Sequence, residues 1–329
     1  MRRLILFFVL YLSVFSITEA QPKTLLLKDI YIRDPFILPD TLTGEYYMYR
    51  SASVTTSEVQ ATGGVEVFTS KDLVHWKDPV QVLVVPVDNW TTGIVWAPEV
   101  HCYSGKYYLF ATLTSPVQWK KSDSQEYPFR GTQIFWSESP TGPFLPFENK
   151  LPQTPMDEMA LDGTLWVENG KPYMVYCNEW VQVQDGTMKL LPLNQDMSAP
   201  DGSVVRLFNS SAAPWSTGLD TGKPGKSYVT DGCFLYKTKT GKLLMIWSSF
   251  SHGEYAMGIA ESVTGRITRP WKQQAEPLFT QNGGHGMIFT DFDGKLCLVL
   301  HSPNSPGGSE RAHIFELEDI GNTLKLKNN

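Results

Sequence analysis

The stretch LDGTLWVENGKPYMVYCNEW, Leu161 to Trp180, decides the fold. A polar residue, Asp162, stands before a short apolar run. A turn containing Gly170 follows, and then a second run rich in aromatic and β-branched side chains. Short runs of this composition, bounded by Asn, Gly and Asp, read as the two strands of a hairpin. The same layout recurs in RDPFILPDTLTGEYYMYRSA from Arg33, WAPEVHCYSGKYYLFATL from Trp96, VTDGCFLYKTKTGKLLMIWSSF from Val229 and GGHGMIFTDFDGKLCLVLHSP from Gly283. The leading polar residues are Asp34, Glu99, Asp162, Asp231 and His285, separated by 65, 63, 69 and 54 residues.

A third strand-like piece follows each hairpin, and long helical periodicity is absent. A β unit repeated at a near-constant period is the signature of a propeller, and five copies mean five blades around a central channel. The fold class is therefore all-β. In a propeller the innermost strand of each blade starts at the same face of the channel. The five polar residues are expected to converge there on one axial pocket.

Composition narrows the function. The 329 residues are 42% hydrophobic, as a large core requires, and the formal net charge is −6. No basic stripe is present, which argues against a nucleic-acid partner. The first residues, MRRLILFFVLYLSVFSITEAQPK, pair Arg2 and Arg3 with an apolar stretch, Leu4 to Ile17, and small residues before Gln21. The pattern predicts a signal peptide over residues 1–20 and an exported protein, periplasmic or secreted, with one domain over 21–329. The other reading is an uncleaved anchor, but the stretch is shorter than the ~20 residues a spanning helix needs. No later segment could span a membrane. Cys102, Cys177, Cys233 and Cys297 are far apart and lack ligand spacing. They are expected to be free and buried rather than to hold zinc.

Several carboxylates around a channel mouth suit general acid–base work, because crowding and burial push their pKa values apart. One stays ionised and activates water, and another keeps a proton for a leaving group, as glycoside hydrolysis requires. DFDGK, Asp291 to Lys295, lacks the further ligands of a calcium loop and reads as a hairpin turn.

On these residues the chain resembles glycoside hydrolase family 43. RDPFIL, LDGTLW with NGKPYMVY, SKDLVHW (Ser70 to Trp76), WAPEVH and GGHG carry the resemblance across the whole chain after residue 20. It implies an inverting hydrolase of pentose-containing plant polysaccharides, an α-L-arabinofuranosidase or β-xylosidase, with Asp34 as general base. It implies that Asp162 orients the general acid and tunes its pKa, and that His285 approaches a bound ion or water on the axis. No cofactor is implied for the chemistry, and a structural calcium on the axis is the expected ion. Related propeller hydrolases acting on fructans carry other motifs, which are absent here.

The departure is at the acid. The family places Glu before Gly-Pro, whereas this chain has Asp231, Gly232 and Cys233. The shorter side chain sets the carboxyl back by about 1.5 Å, and an error of about an ångström can cost on the order of a hundredfold in rate. Glu179, in VYCNEWVQ, is the alternative acid. It sits where the turn between the second and third strands of blade 3 returns to the active face. Glu99, Trp96, Trp166, Trp180, His285 and Arg311 are candidate substrate contacts, and Arg33 precedes the base. A galactosidase on the same scaffold, and a glycan-binding propeller that has lost its acid, stay open at this point.

Overall fold

The repeat folds into five antiparallel sheets, one per copy. The computed structural model describes residues 24–55, 62–120 and 126–327. The predicted signal peptide lies outside the described residues. Blade 1 comprises Phe36–Asp40, Glu45–Val54 and Thr62–Ser70, edged by His75–Lys77 and Val80–Val84. Its sixth strand, Thr24–Leu26, pairs with His75–Lys77. Blade 2 is Val95–Tyr103, Lys106–Lys120, Glu126–Ser137 and Leu145–Pro146. Blade 3 is Ala160–Glu168, Lys171–Asn178, Thr187–Pro192 and Val205–Asn209. Blade 4 is Asp231–Lys237, Leu243–Ser251, Glu254–Ser262 and Trp271–Gln273. Blade 5 is Gly284–Thr290, Leu296–Ser302, Arg311–Asp319 and Leu324–Leu326.

Each inner strand packs against the inner strands of both neighbouring blades, with blade 5 returning to blade 1. The ring is latched where Ile32 N–H donates to the Glu310 carbonyl and Tyr31 bridges to Arg311. The apolar alternation of the strands is buried in the seams between blades. One core joins blades 5, 1 and 2, and others fill the seams 2–3, 3–4 and 4–5. Trp166 belongs to the 3–4 seam, against side chains around Trp247, so its predicted sugar contact is replaced by a packing role. The four cysteines are free, and Cys102 is exposed rather than buried.

One backbone feature corrects the register of the repeat. Asp34, Ala97, Asp162, Gly232 and His285 all adopt positive φ, between 43° and 53°. In blades 2 to 5 each of these residues sits in a β-bulge. The equivalent residues are thus Ala97, not Glu99, in blade 2 and Gly232, not Asp231, in blade 4. A bulge adds a residue without a partner, so side chains around it no longer follow the two-residue alternation. Sequence alignment of the polar residues could not see this offset.

Left-handed backbone costs an ordinary residue about 1–2 kcal/mol, and here the strain is answered by hydrogen bonds from the preceding blade. Asp162 N–H donates to Thr112 Oγ1 (2.9 Å), His285 N–H to Ser248 Oγ (2.8 Å) and Asp34 N–H to His301 Nδ1 (3.2 Å). Thr112, Ser248 and His301 occupy matching places on the second strands, opposite the bulges.

Candidate active site

Because three of the left-handed residues are Asp34, Asp162 and His285, the repeat itself aims their side chains at the axis. His285 is buried, and its Nδ1 lies 3.1 Å from Asp34 Oδ1, 3.8 Å from Asp231 Oδ1 and 4.0 Å from Asp162 Oδ2. Burial opposes charge on His285, but Asp34, Asp162 and Asp231 outweigh it and raise its pKa well above the ordinary value. The surrounding carboxylates favour the imidazolium form of the ring. Burial alone would push the Asp34 carboxyl up. The charge of His285, with the His301 ring 3.2 Å away, instead holds it well below the usual carboxylate range. Burial, and next the negative charge of Asp231, push Asp162 well above that range. The axis therefore pushes its carboxyl groups apart, Asp34 toward the ionised form and Asp162 toward the protonated one.

Gly232 shows how tightly this centre is packed. A Cβ there would sit 2.5 Å from His285 Cγ and 2.7 Å from its Cα, at a φ of +45°. Its N–H donates to Asp162 Oδ2 at 3.2 Å. Gly232→Ala is expected to destabilise the protein by ~3 kcal/mol, from left-handed strain plus overpacking. Differential scanning calorimetry should read a fall in Tm of roughly 5–10 °C; an unchanged Tm would mean the ring is free to move.

Above the cluster lies a cavity of about 480 Å³ walled by Asp34, Asp162, Asp231 and Glu179, with Arg33, Trp96 and Trp180 among the other lining residues. The sequence reading of Glu179 as a resident of this face agrees with that placement. Glu179 lies between the second strand of blade 3 and the single-turn helix Trp180–Val183. Its N–H donates to the Met159 carbonyl (2.9 Å) and its own carbonyl accepts from Gln182 and Val183, which fixes the side chain inward. Arg130 Nη1 donates to Glu179 Oε2 at 2.7 Å, and the guanidinium lies 4.4 Å from the Trp96 ring centroid. Burial raises the Glu179 pKa, Arg130 pulls it down and Asp231 adds to the rise; the net shift is upward.

Other predicted contacts fall elsewhere. Glu99 is buried, its Oε2 3.0 Å from His101 Nε2, and is not on the cavity wall. It comes just after the bulge, where the ladder resumes opposite Phe110. Arg311 donates to the Glu310 carbonyl and lines a separate groove with the N-terminal strand, because it serves the ring closure. His285 lies under the carboxylates, not on the wall. Arg33 is tied to Glu310 Oε1 (2.9 Å) and Asn304 Oδ1 (2.7 Å), 3.9 Å from Asp34 Oδ1.

Three residues escaped the sequence reading. They are Arg130, His301 and Tyr255, whose hydroxyl donates to Asp231 Oδ2 at 2.7 Å and whose ring stacks on His301. His301 was detectable as the residue of blade 5 matching Thr112 and Ser248. Arg130 and Tyr255 left no such mark.

Among the described residues, Asp162, Asp231 and His285 also form a group that could hold an ion, with one ligand atom each, all within 4.8 Å. Two carboxylates and a nitrogen fall short of the six to eight oxygens calcium takes, so an ion held here would keep a shell mostly of water. His285 Nδ1 is already engaged by Asp34.

A profile of glycosyl hydrolases family 43 matches residues 29–316. The solved structure of an endo-arabinase from Bacteroides thetaiotaomicron superposes with a TM-score of 0.79 at 35% identity, over 91% of this chain and 98% of that one. Sequence similarity extends to α-L-arabinofuranosidase 43 of Humicola insolens (21% over 228 residues) and an extracellular exo-α-(1→5)-L-arabinofuranosidase of Streptomyces avermitilis (24% over 239 residues). Each match covers 64% of this chain and 43% of the relative, so the chain spans less than half the length of either. With the profile spanning nearly all the described residues and the five blades in place, this chain belongs to glycosyl hydrolases family 43.

Proposed function

We propose that the protein is an inverting, exo-acting α-L-arabinofuranosidase that removes terminal pentose from plant cell-wall glycan. One observation carries the reading. A carboxylate held ionised by a buried imidazolium, Asp34, shares a cavity with a carboxyl held toward its protonated form by burial, Glu179. Asp34 takes a proton from water as its oxygen attacks the anomeric carbon. Glu179 gives its proton to the glycosidic oxygen as that bond breaks. Burial, and after it Asp231 anchored by Tyr255, raises the pKa of Glu179, and burial beside Asp231 pushes Asp162 toward its protonated form. The carboxyl groups supply the acid and the base, so this chemistry uses no cofactor.

The assignment of the acid rests on spacing. Asp34 Oδ1 and Asp231 Oδ1 both approach His285 Nδ1, so these two atoms can be no further apart than the sum of 3.1 and 3.8 Å. That bound sits at the lower edge of the ~6.5–9.5 Å that leaves room for water in an inverting pair. Glu179 is bound by no such tether. Asp231 stays as a second reading, because it holds the family's acid position and its side chain is 24% exposed.

The sugar assignment draws on the relatives, all three named for arabinose or arabinan. Hydrolysis of 4-nitrophenyl α-L-arabinofuranoside should exceed that of the β-D-xyloside and the galactosides by ~10-fold or more. Proton NMR should show the β-anomer of arabinose first. Release of xylose or galactose alone would overturn the sugar, and the α-anomer first would overturn inversion.

A further inference from the structure

The left-handed residues at the axis are braced from the preceding blade by two kinds of acceptor. Thr112 and Ser248 take the N–H of Asp162 and of His285 on hydroxyl oxygens. A hydroxyl oxygen can accept whichever way its own proton turns. The matching place in blade 5 is held by His301, which takes the N–H of Asp34 on Nδ1. An imidazole nitrogen accepts only when it carries no proton, so this brace depends on the tautomer of the ring. His301 is fully buried, and the Tyr255 ring stacks on it at 5.7 Å and 16°.

Residues behind the ring decide that tautomer. His301 Nε2 lies 3.2 Å from Asn304 Oδ1, and Arg33 Nη2 donates to the same oxygen at 2.7 Å. A guanidinium only donates, so the Asn304 atom between Arg33 and His301 is the oxygen and not the amide nitrogen. Arg33 is itself fixed by Glu310 Oε1 at 2.9 Å, and buried Glu310 also takes the Gly308 N–H at 2.6 Å. An oxygen facing Nε2 calls for a proton on Nε2. The Asp34 N–H points at Nδ1, and a proton there as well would set two donors against each other. The network is satisfied only when Nε2 is protonated and Nδ1 is bare.

The consequence falls on Asp34. Nδ1 of His301 is 3.2 Å from the Asp34 nitrogen and also 3.2 Å from Asp34 Oδ1. A protonated Nδ1 would drop the N–H and donate to Oδ1 instead. The left-handed turn that aims Asp34 would lose its brace, and a second donor on the carboxylate, beside His285, would weaken it as a base. We propose that Asn304 is a positioning residue for the base: with Arg33 it holds His301 as the Nε2–H tautomer, so that Nδ1 fixes the Asp34 backbone and adds no donor to its carboxylate. His285 then remains the neighbour that holds the Asp34 carboxyl low. The proposal rests on the reading of Asp34 as base, and it explains why a histidine stands where Thr112 and Ser248 show that a hydroxyl suffices.

The tautomer can be read directly by NMR of protein labelled with heavy nitrogen in its six histidines. Long-range nitrogen–proton correlations tell a bare ring nitrogen from a protonated one. His301, assigned by its absence from His301→Asn, should show a bare Nδ1 and a protonated Nε2; a protonated Nδ1 would overturn the proposal. Asn304 is half-buried, so Asn304→Leu should fold, checked by Tm, and should move the His301 pattern toward Nδ1–H. On 4-nitrophenyl α-L-arabinofuranoside it should lower kcat ~10–100-fold and leave KM within ~2-fold. Asn at position 301 has no tautomer and can turn its amide oxygen to the Asp34 N–H, so His301→Asn should lose less than His301→Leu. Adding Asn304→Leu to His301→Asn should then change kcat less than ~2-fold, a non-additivity that a merely structural role would not produce. An equal cost of Asn304→Leu in both backgrounds would mean that it acts through Arg33 alone and would overturn the proposal, as would an unchanged kcat. Failure of the base reading looks different: Asp34→Asn would keep its activity while His301 still showed the Nε2–H tautomer.

Discussion

Asp34→Asn is expected to lower kcat by ~10³–10⁴-fold on every glycoside, whatever its leaving group. The water must lose a proton in the step that forms the new bond, and a better leaving group does not remove that need. Asn preserves shape and can still accept from His285 Nδ1, so the loss should fall on kcat and leave KM and binding nearly intact. The Asp34 carboxyl is held well below its usual range, so the wild-type acidic limb should lie low in pH, where Asp34 protonates. Steady-state kinetics on arabinosides with poor and activated leaving groups, with calorimetric binding of oligosaccharide, checks this. A loss below tenfold would remove Asp34 as the base. Binding without turnover in the wild type, unchanged by Asp34→Asn, would favour a glycan-binding propeller.

Glu179→Gln should behave differently. Oligosaccharides, whose leaving oxygen needs a proton, should lose ~10²–10⁴-fold in kcat. A 2,4-dinitrophenyl glycoside, whose leaving group departs as an anion, should lose less than ~10-fold under the same general-acid logic. If Asp231 only raises the pKa of Glu179 and braces the cluster, Asp231→Asn should move the alkaline limb for oligosaccharides to lower pH and cost their kcat less than Glu179→Gln does. The reverse pattern would give the acid to Asp231. The pH profile offers a second readout. The alkaline limb marks the acid losing its proton as pH rises through its raised pKa. Arg130 pulls that pKa down, so Arg130→Met should shift the limb to higher pH. An unmoved limb would mean that Glu179 does not set it.

Much of this was legible in the chain. The five hairpins could be read because a blade is local: strand, Gly turn and strand lie within some 20 residues. Gly170 takes a positive φ in its turn, which is why the repeat keeps a glycine at that place. Asp34 and Asp162 could be read because they lie in the local motif that starts the inner strand. Glu179 was reachable by topology alone, since an antiparallel return brings the end of the second strand back to that face.

The two carboxylates that were mismatched failed for one reason. Glu99 and Asp231 were matched to their counterparts by residue type, but the equivalent positions are Ala97 and Gly232, defined by backbone angle. A bulge moves side chains between faces without a reliable mark in composition. Trp166 could not be told from a sugar platform, because the strand pattern says which side is apolar and not whether a neighbouring blade covers it.

The amino-acid sequence by itself determined the number of blades, the face on which the strands begin and two of the carboxylates there, because these follow from short-range periodicity. Only the tertiary structure decided how those groups are charged and which of them reach the substrate. The His285 imidazolium belongs to three carboxylates from three other blades, Arg130 holds Glu179 across the seam between blades 2 and 3, and Tyr255 stacks on His301 to fix Asp231 beside Asp34. Coulomb interaction and burial act through a few ångströms of space, however distant the residues are along the chain.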